Sequence, residues 1–242
     1  MKLSHVGAII TATTIILGFA MLLPFFFRIN TSKQITFVLT FTIHDVDNVS
    51  EWCDELSFLL KNNDIKATVF FAGSVANLYP ECVSSFSENV DIGSQTYNYV
   101  NLTAISDYSI QLEEVSAGKQ AVDNAGNLDS RLFKAPYGTT DENIYSLLTR
   151  SNILADFSYD DHYNKYYNGQ FIRSGLTTYN GTKYTTDFLL DLFRTEEPIV
   201  ILFDSATSIE KIEDFVLRAK SVNIQFTNAS GITGLRLTIR AD

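Results

Sequence analysis

Apolar positions fall along this chain in two alternating periods. Ile35–Ile43 is a nearly continuous β-branched and aromatic run, the pattern of a strand covered on both faces. Val49–Lys61 then changes period, with Trp52, Leu56, Leu59 and Leu60 on one helical stripe. The alternation continues with an apolar run over Lys66–Ala72 stopped by Gly73, and a helix over Val75–Phe86 interrupted at Pro80. A short strand at Val90–Gly93 and an amphipathic helix over Ser109–Asn124 come next. Leu132–Lys134 leads into the turn Pro136-Tyr137-Gly138, followed by a helix over Asp141–Arg150. A strand over Ile153–Ser158, a helix over Thr186–Arg194, a strand over Pro198–Phe203, a helix over Ile209–Ser221 and a strand over Asn223–Phe226 complete the series. Strands separated by helices at this spacing predict parallel βαβ units and a barrel-like α/β fold. In such folds the polar residues just past the strand ends form the functional mouth. Here these are His44–Asp47, Gln95–Tyr99, Lys134–Gly138, Asp156–His162 and Asp204-Ser205.

The first residues obey a different rule. Val6–Phe27 is apolar and uncharged, closed by Arg28. At about 1.5 Å of rise per residue, such a helix spans a hydrocarbon layer about 30 Å thick. A cleaved signal peptide would have a shorter apolar stretch ending in small residues, whereas this run ends Pro24-Phe25-Phe26-Phe27. The expected organisation is a cytoplasmic terminus at 1–5, a transmembrane anchor at 6–27, a linker at 28–34 and one globular domain at 35–242.

Charge narrows the partners. Lys and Arg number 18 against 28 Asp and Glu, a formal net charge of −10, so generic nucleic-acid binding is excluded for lack of clustered cations. Flanking charge leaves orientation nearly balanced, with Lys2 on one side of the anchor and Arg28 and Lys33 on the other. Asn-x-Ser/Thr sequons at Asn30, Asn48, Asn101, Asn180 and Asn228 favour an exported domain. The expected location is the outer face of the cytoplasmic membrane, single-pass. Cys53 and Cys82 would pair in an oxidising compartment, or remain as two buried thiols.

Several mouth segments resemble motifs of the polysaccharide deacetylase family, also called the NodB-homology domain, a family of carbohydrate esterases. Ile65–Gly73 is similar to the family's second strand. Asp91-Ile92-Gly93-Ser94-Gln95-Thr96-Tyr97-Asn98-Tyr99-Val100-Asn101-Leu102 resembles its EIGNHTYSHPNL stretch. Phe133-Lys134-Ala135-Pro136-Tyr137-Gly138 resembles FRPPYG, and Ile201-Leu202-Phe203-Asp204 resembles LLHD. The resemblance runs from about Thr36 to Thr227 and implies a distorted (β/α) barrel of the polysaccharide deacetylase type.

Active members of that family are expected to hold a divalent metal through one aspartate and two histidines, with a second aspartate as base and a histidine as acid. Carried over by resemblance, Asp45 takes the metal-aspartate position and His44 replaces the base. Gln95 and Tyr99 stand at the two metal-histidine positions, and Phe203 at the acid position. Lys134 stands for the motif arginine and Asp160 for the aspartate of the fourth motif. A neutral amide is a poor zinc donor, and a phenol must lose a proton first. Phenylalanine cannot protonate a leaving amine, a step worth about 10²–10⁴-fold in rate. The expectation is therefore a degenerate member without a bound metal or other cofactor.

Two alternatives stay open. His44 and His162, near Asp45, Asp47, Asp160 and Asp161, could hold zinc, iron or manganese in a rewired deacetylase. Tyr97, Tyr137 and Tyr159, among the tyrosines of the mouth loops, could instead stack on sugar rings without chemistry, or pack loops against a protein partner.

Overall fold

The computed structural model describes residues 36–44, 47–158, 166–167, 171–173, 176–192 and 198–241. The run Val6–Phe27 lies outside them. Among the described residues, no helix is long and apolar enough to cross a membrane.

The first strand, β1 (Thr36–Ile43), is buried along nearly its whole length. Helix α1 (Val49–Asn62) follows and buries Trp52, Cys53, Leu56, Leu59 and Leu60. Strand β2 (Ala67–Phe71) leads to α2 (Gly73–Leu78) and α3 (Pro80–Ser84), separated where Pro80 starts a new first turn. Next come β3 (Val90–Ser94) and the long α4 (Tyr108–Gly126), started by the Asp107 carboxylate and ended at Asn127 in the left-handed conformation. The chain continues through β4 (Leu128–Ser130), β5 (Leu132–Phe133), α5 (Glu142–Arg150), β6 (Ala155–Asp156), β7 (Tyr166–Tyr167), β8 (Phe171–Arg173) and β9 (Thr178–Asn180). Helix α6 (Thr186–Asp191), β10 (Ile199–Asp204), α7 (Ile209–Ser221), β11 (Gln225–Thr227), α8 (Ala229–Thr233) and β12 (Thr238–Arg240) complete it.

The main sheet runs β7-β8-β6-β5-β3-β2-β1-β10-β9, with β11 beside the start of β1. Every described pairing in it is parallel except β7 with β8. The sheet is a half-barrel: among the described residues its two end strands do not pair with each other.

Alternation along β1 divides the core into two layers. Phe37, Leu39, Phe41 and Ile43 face the helices, packed with Leu56, Val69, Ile201, Phe203 and Phe215. Val38 faces the concave side with Phe70, Leu132, Ala155, Phe157 and Val200. Gly93 admits the Phe70 ring to that side, because a Cβ there would sit 2.3 Å from Phe70 Cδ1. At the base, α8 is tied to the strands: Ala229 N donates to Thr68 Oγ1 at 2.8 Å, and Ser230 N and Oγ donate to Asp91 at 2.6 and 2.9 Å. Cys53 on α1 and Cys82 on α3 form a disulfide with Cα atoms 5.4 Å apart, within the usual range for a bridge.

Periodicity located the long elements and missed the short ones. The strand expected over Ile153–Ser158 is only Ala155–Asp156, because Ser158 N and Oγ turn back to the Asp156 carboxylate. The helix expected over Thr186–Arg194 spans Thr186–Asp191. The antiparallel pair of β4 and β12, and helix α8, carried no usable period.

Candidate functional site

The parallel register brings the C-terminal ends of β1, β3 and β10 together. Thr42 on β1 lies opposite Asp204 on β10 and Phe70 on β2. Past these ends, His44 N donates to Ser205 Oγ at 3.4 Å, and Ser205 N donates to Thr42 O at 3.0 Å, so the two strand exits are laced together. The His44 ring lies 4.4 Å from that of Tyr99, whose ring lies 5.5 Å from Tyr137. This row of three rings lines the mouth. Tyr137 is 66% exposed.

Tyr99 and Tyr137 both sit at positive φ, 56° and 61°, a conformation uncommon for non-glycine residues and enriched at binding sites. Burial pushes the Tyr99 phenol up to about 12, helped by Tyr137 and the carboxylate of Asp204. At neutral pH Tyr99 therefore keeps its proton. Gln95 is fully buried, and its Nε2 donates to Phe70 O at 3.1 Å. That bond turns Oε1 the other way, where it is buried without a partner among the described residues.

A second polar group lies beneath the turn after β5. Lys134 is buried, and burial brings its amine down to about 8, against the opposing pull of Asp156. Asp156 accepts from Ser158 N and Oγ at 2.9 and 2.5 Å and from Thr140 Oγ1 at 3.4 Å. Ser158 in turn accepts from Ala135 N at 2.7 Å. The network fixes the Lys134–Gly138 turn from which Tyr137 projects.

Several expected site residues stand elsewhere. Tyr97 braces the helices: its hydroxyl accepts from Asn77 at 3.3 Å, and its ring would meet a Cβ added at Gly73. Phe203 faces the helix layer, with its ring 6.0 Å from Phe41 and 5.5 Å from Phe215, under Gly181. The β10 residue beside the mouth is Asp204, which also caps the following turn through Ala206 N at 3.1 Å. Among the described residues, the Asp156 carboxylate acts on Lys134. Its signal in the sequence was register, since Asp156 pairs with Phe133, the residue before Lys134. Asp45, Tyr159, Asp160 and His162 lie outside the described residues.

The donor set tests poorly against the divalent metal of the family. Among the described residues no three His, Cys, Asp or Glu side chains are close enough to share an ion. The amide of Gln95 is held by a backbone carbonyl, and the Tyr99 phenol is driven away from the phenolate a metal would require. These groups do not fit a zinc site with three protein ligands.

The family model for polysaccharide deacetylase matches residues 30–154, more than half of the chain. The chain belongs to the polysaccharide deacetylase family. No curated protein sequence matches it. Among solved structures, a family 4 carbohydrate esterase from Streptomyces lividans, crystallised with acetate, has a TM-score of 0.63 at 18% identity over 86% of this chain and 98% of that one. The peptidoglycan deacetylase PdaC from Bacillus subtilis gives 0.63 at 14% identity, over 85% and 93%. A carbohydrate esterase family 4 pseudoenzyme from Bacillus anthracis gives 0.61 at 16% identity, over 83% of this chain and 65% of that one. A mutant of that pseudoenzyme has restored enzymatic activity. At these identities the likeness shows the fold alone: the parallel half-barrel of the deacetylases carries enzymes and pseudoenzymes alike.

Proposed function

We propose that this deacetylase-like domain is anchored outside the cytoplasmic membrane by Val6–Phe27 and that its cleft binds a surface glycan without hydrolysing it. The observation that carries this reading is the pair Gln95 and Tyr99. Both stand where resemblance puts metal histidines, one tied to Phe70 O and the other held protonated by burial. Without a Lewis acid, and with Asp204 rather than an imidazole at the mouth end of β10, hydrolysis loses two separate contributions. What remains is a row of rings with polar tips, ending in the exposed Tyr137, with the Asp204 carboxylate acting on Tyr99 in its middle. Ring faces suit the C–H face of a sugar, and the polar groups suit its rim of hydroxyls.

Titration calorimetry and acetate release with acetylated chito-oligosaccharides test it together. The expected result is saturable binding, weakened by Tyr137→Ala, with no acetate above background. Absence of binding would turn the assignment to a protein partner at the surface. Metal-dependent acetate release, abolished by substituting Asp45 together with His44 or His162, would establish the rewired deacetylase instead.

A further inference from the structure

The sequons at Asn48, Asn101, Asn180 and Asn228 lie among the described residues, and their surroundings differ. Asn228 is 9% exposed and spends both ends of its amide inside the fold: Nδ2 donates to Asn89 O at 3.2 Å, and Oδ1 accepts from Gly231 N at 2.9 Å. At Asn101 the amide oxygen accepts from Thr103 N, Thr103 Oγ1 and Thr139 Oγ1, so the hydroxyl of its own sequon is engaged. Asn180 is half-buried, with Oδ1 accepting from Lys183 N at 3.1 Å. The hydroxyl of its sequon, on Thr182, is 2.6 Å from Thr207 Oγ1 and accepts from Asp204 N.

Asn48 is the exception among the four. It is exposed, stands at φ 62° and ψ 31° in the connection between β1 and α1, and makes no capping hydrogen bond to the helix it precedes. Its amide and the Ser50 hydroxyl are both uncommitted among the described residues. The left-handed turn lifts the Asn48 side chain off the helix end while Val49 anchors the next residue in the core at 1% exposure. A bulky substituent on Asn48 Nδ2 therefore displaces no contact of the fold. The same substituent on Asn228 would break the bond to Asn89 O in a nearly closed site.

We propose that Asn48 is an N-glycosylation site whose glycan stands on the connection between β1 and α1. The inference rests on the exported reading of the domain, because the donor and its transferase act on exported chain. The donor is a lipid diphosphate-linked oligosaccharide. Asn48 Nδ2 forms a bond to the anomeric carbon, the bond from that carbon to the lipid diphosphate breaks, the diphosphate leaves with the electron pair, and the amide proton passes to the transferase.

The test is glycopeptide mass spectrometry on the full chain isolated from the organism that makes it, together with protease shaving of intact cells. The expected result is a glycan on the Asn48 peptide, an unmodified Asn228 peptide, and loss of one glycan mass on Asn48→Gln or Ser50→Ala with the Cys53–Cys82 bridge intact. A domain shaved from outside whose Asn48 is bare, or which carries its glycan on Asn228, overturns the modification and leaves the exported reading standing. A domain protected in intact cells overturns both.

Discussion

Phe203→His is the substitution that separates sequence register from side-chain direction. Resemblance alone places residue 203 at the proton donor, so histidine there would be expected to repair the site. The structure places the ring in the helix-facing core, fully buried, between Phe41 and Phe215 and directly under Gly181. Truncating a buried phenylalanine to alanine costs about 3–5 kcal/mol. Histidine keeps some of that volume but loses aromatic contacts worth about 0.5–1.5 kcal/mol each. It also buries a polar imidazole for about 1–3 kcal/mol. A net loss of about 3 kcal/mol lowers the melting temperature of a domain this size by about 6–12 °C. The imidazole would be held neutral, so its pKa falls below the unfolded value near 6.5 and the loss deepens as pH drops below that value. Thermal unfolding at pH 7.5 and 5.5, with acetate release alongside, measures both. A variant with the parent melting temperature and new deacetylase activity would show that residue 203 reaches the mouth and that this packing argument is wrong. Asp204→His, by contrast, loses the cap to Ala206 N but no core packing, so it should lower the melting temperature less than Phe203→His does.

Gly93→Ala should destabilise by about 1–3 kcal/mol through overpacking against Phe70, and Phe70→Leu in the same chain should recover part of the loss in urea melts. Replacing Cys53 and Cys82 by serine opens a loop with a sequence separation of 29. The cost should be about 3–4 kcal/mol by chain entropy, and an unchanged urea midpoint would contradict a native bridge. Lys134 titrates at about 8 in the fold, against the ordinary 10.5, so the unfolded chain binds the extra proton between those values. Its contribution is therefore complete above about pH 10.5 and is lost as pH falls towards 8. Urea midpoints of the parent between pH 8 and 10 should rise with pH relative to those of Lys134→Met, and parallel profiles would refute the buried amine.

The long elements were legible because burial writes itself into period. The run Ile35–Ile43 and the stripe Trp52, Leu56, Leu59, Leu60 could hardly belong to anything but a covered strand and a packed helix. The mouth was legible as a set of strand ends, and His44, Gln95, Tyr99, Lys134 and Tyr137 were found there or just beneath it. Direction was not legible. Phe203 and Asp204 are neighbours on one strand, and alternation sends them to opposite faces; a motif match cannot show which face is the mouth. Tyr97 was read as cleft lining because it lies between Gln95 and Tyr99, yet its carbonyl accepts from Ser74 N and its amide donates to Glu114 O, which turn it to the helices. Asp156 was not singled out as acting on Lys134, because strand pairing between β5 and β6 brings it there, a contact no local pattern records. The elements at the base, α8 and β12, are held by hydrogen bonds to Thr68, Asp91 and Ile92 and have too few apolar residues to announce themselves.

On this reading Gln95 and Tyr99 have removed the metal site from a deacetylase fold. Elemental analysis of the purified domain, before and after Gln95→His with Tyr99→His, tests it most directly. Histidine is among the residues that tolerate the positive φ of position 99, so the double variant can keep the backbone. Well below one equivalent of zinc, cobalt, nickel, iron or manganese is expected in the parent, and a measurable gain in the variant, with Asp45 as third ligand. Stoichiometric metal in the unaltered protein would contradict it.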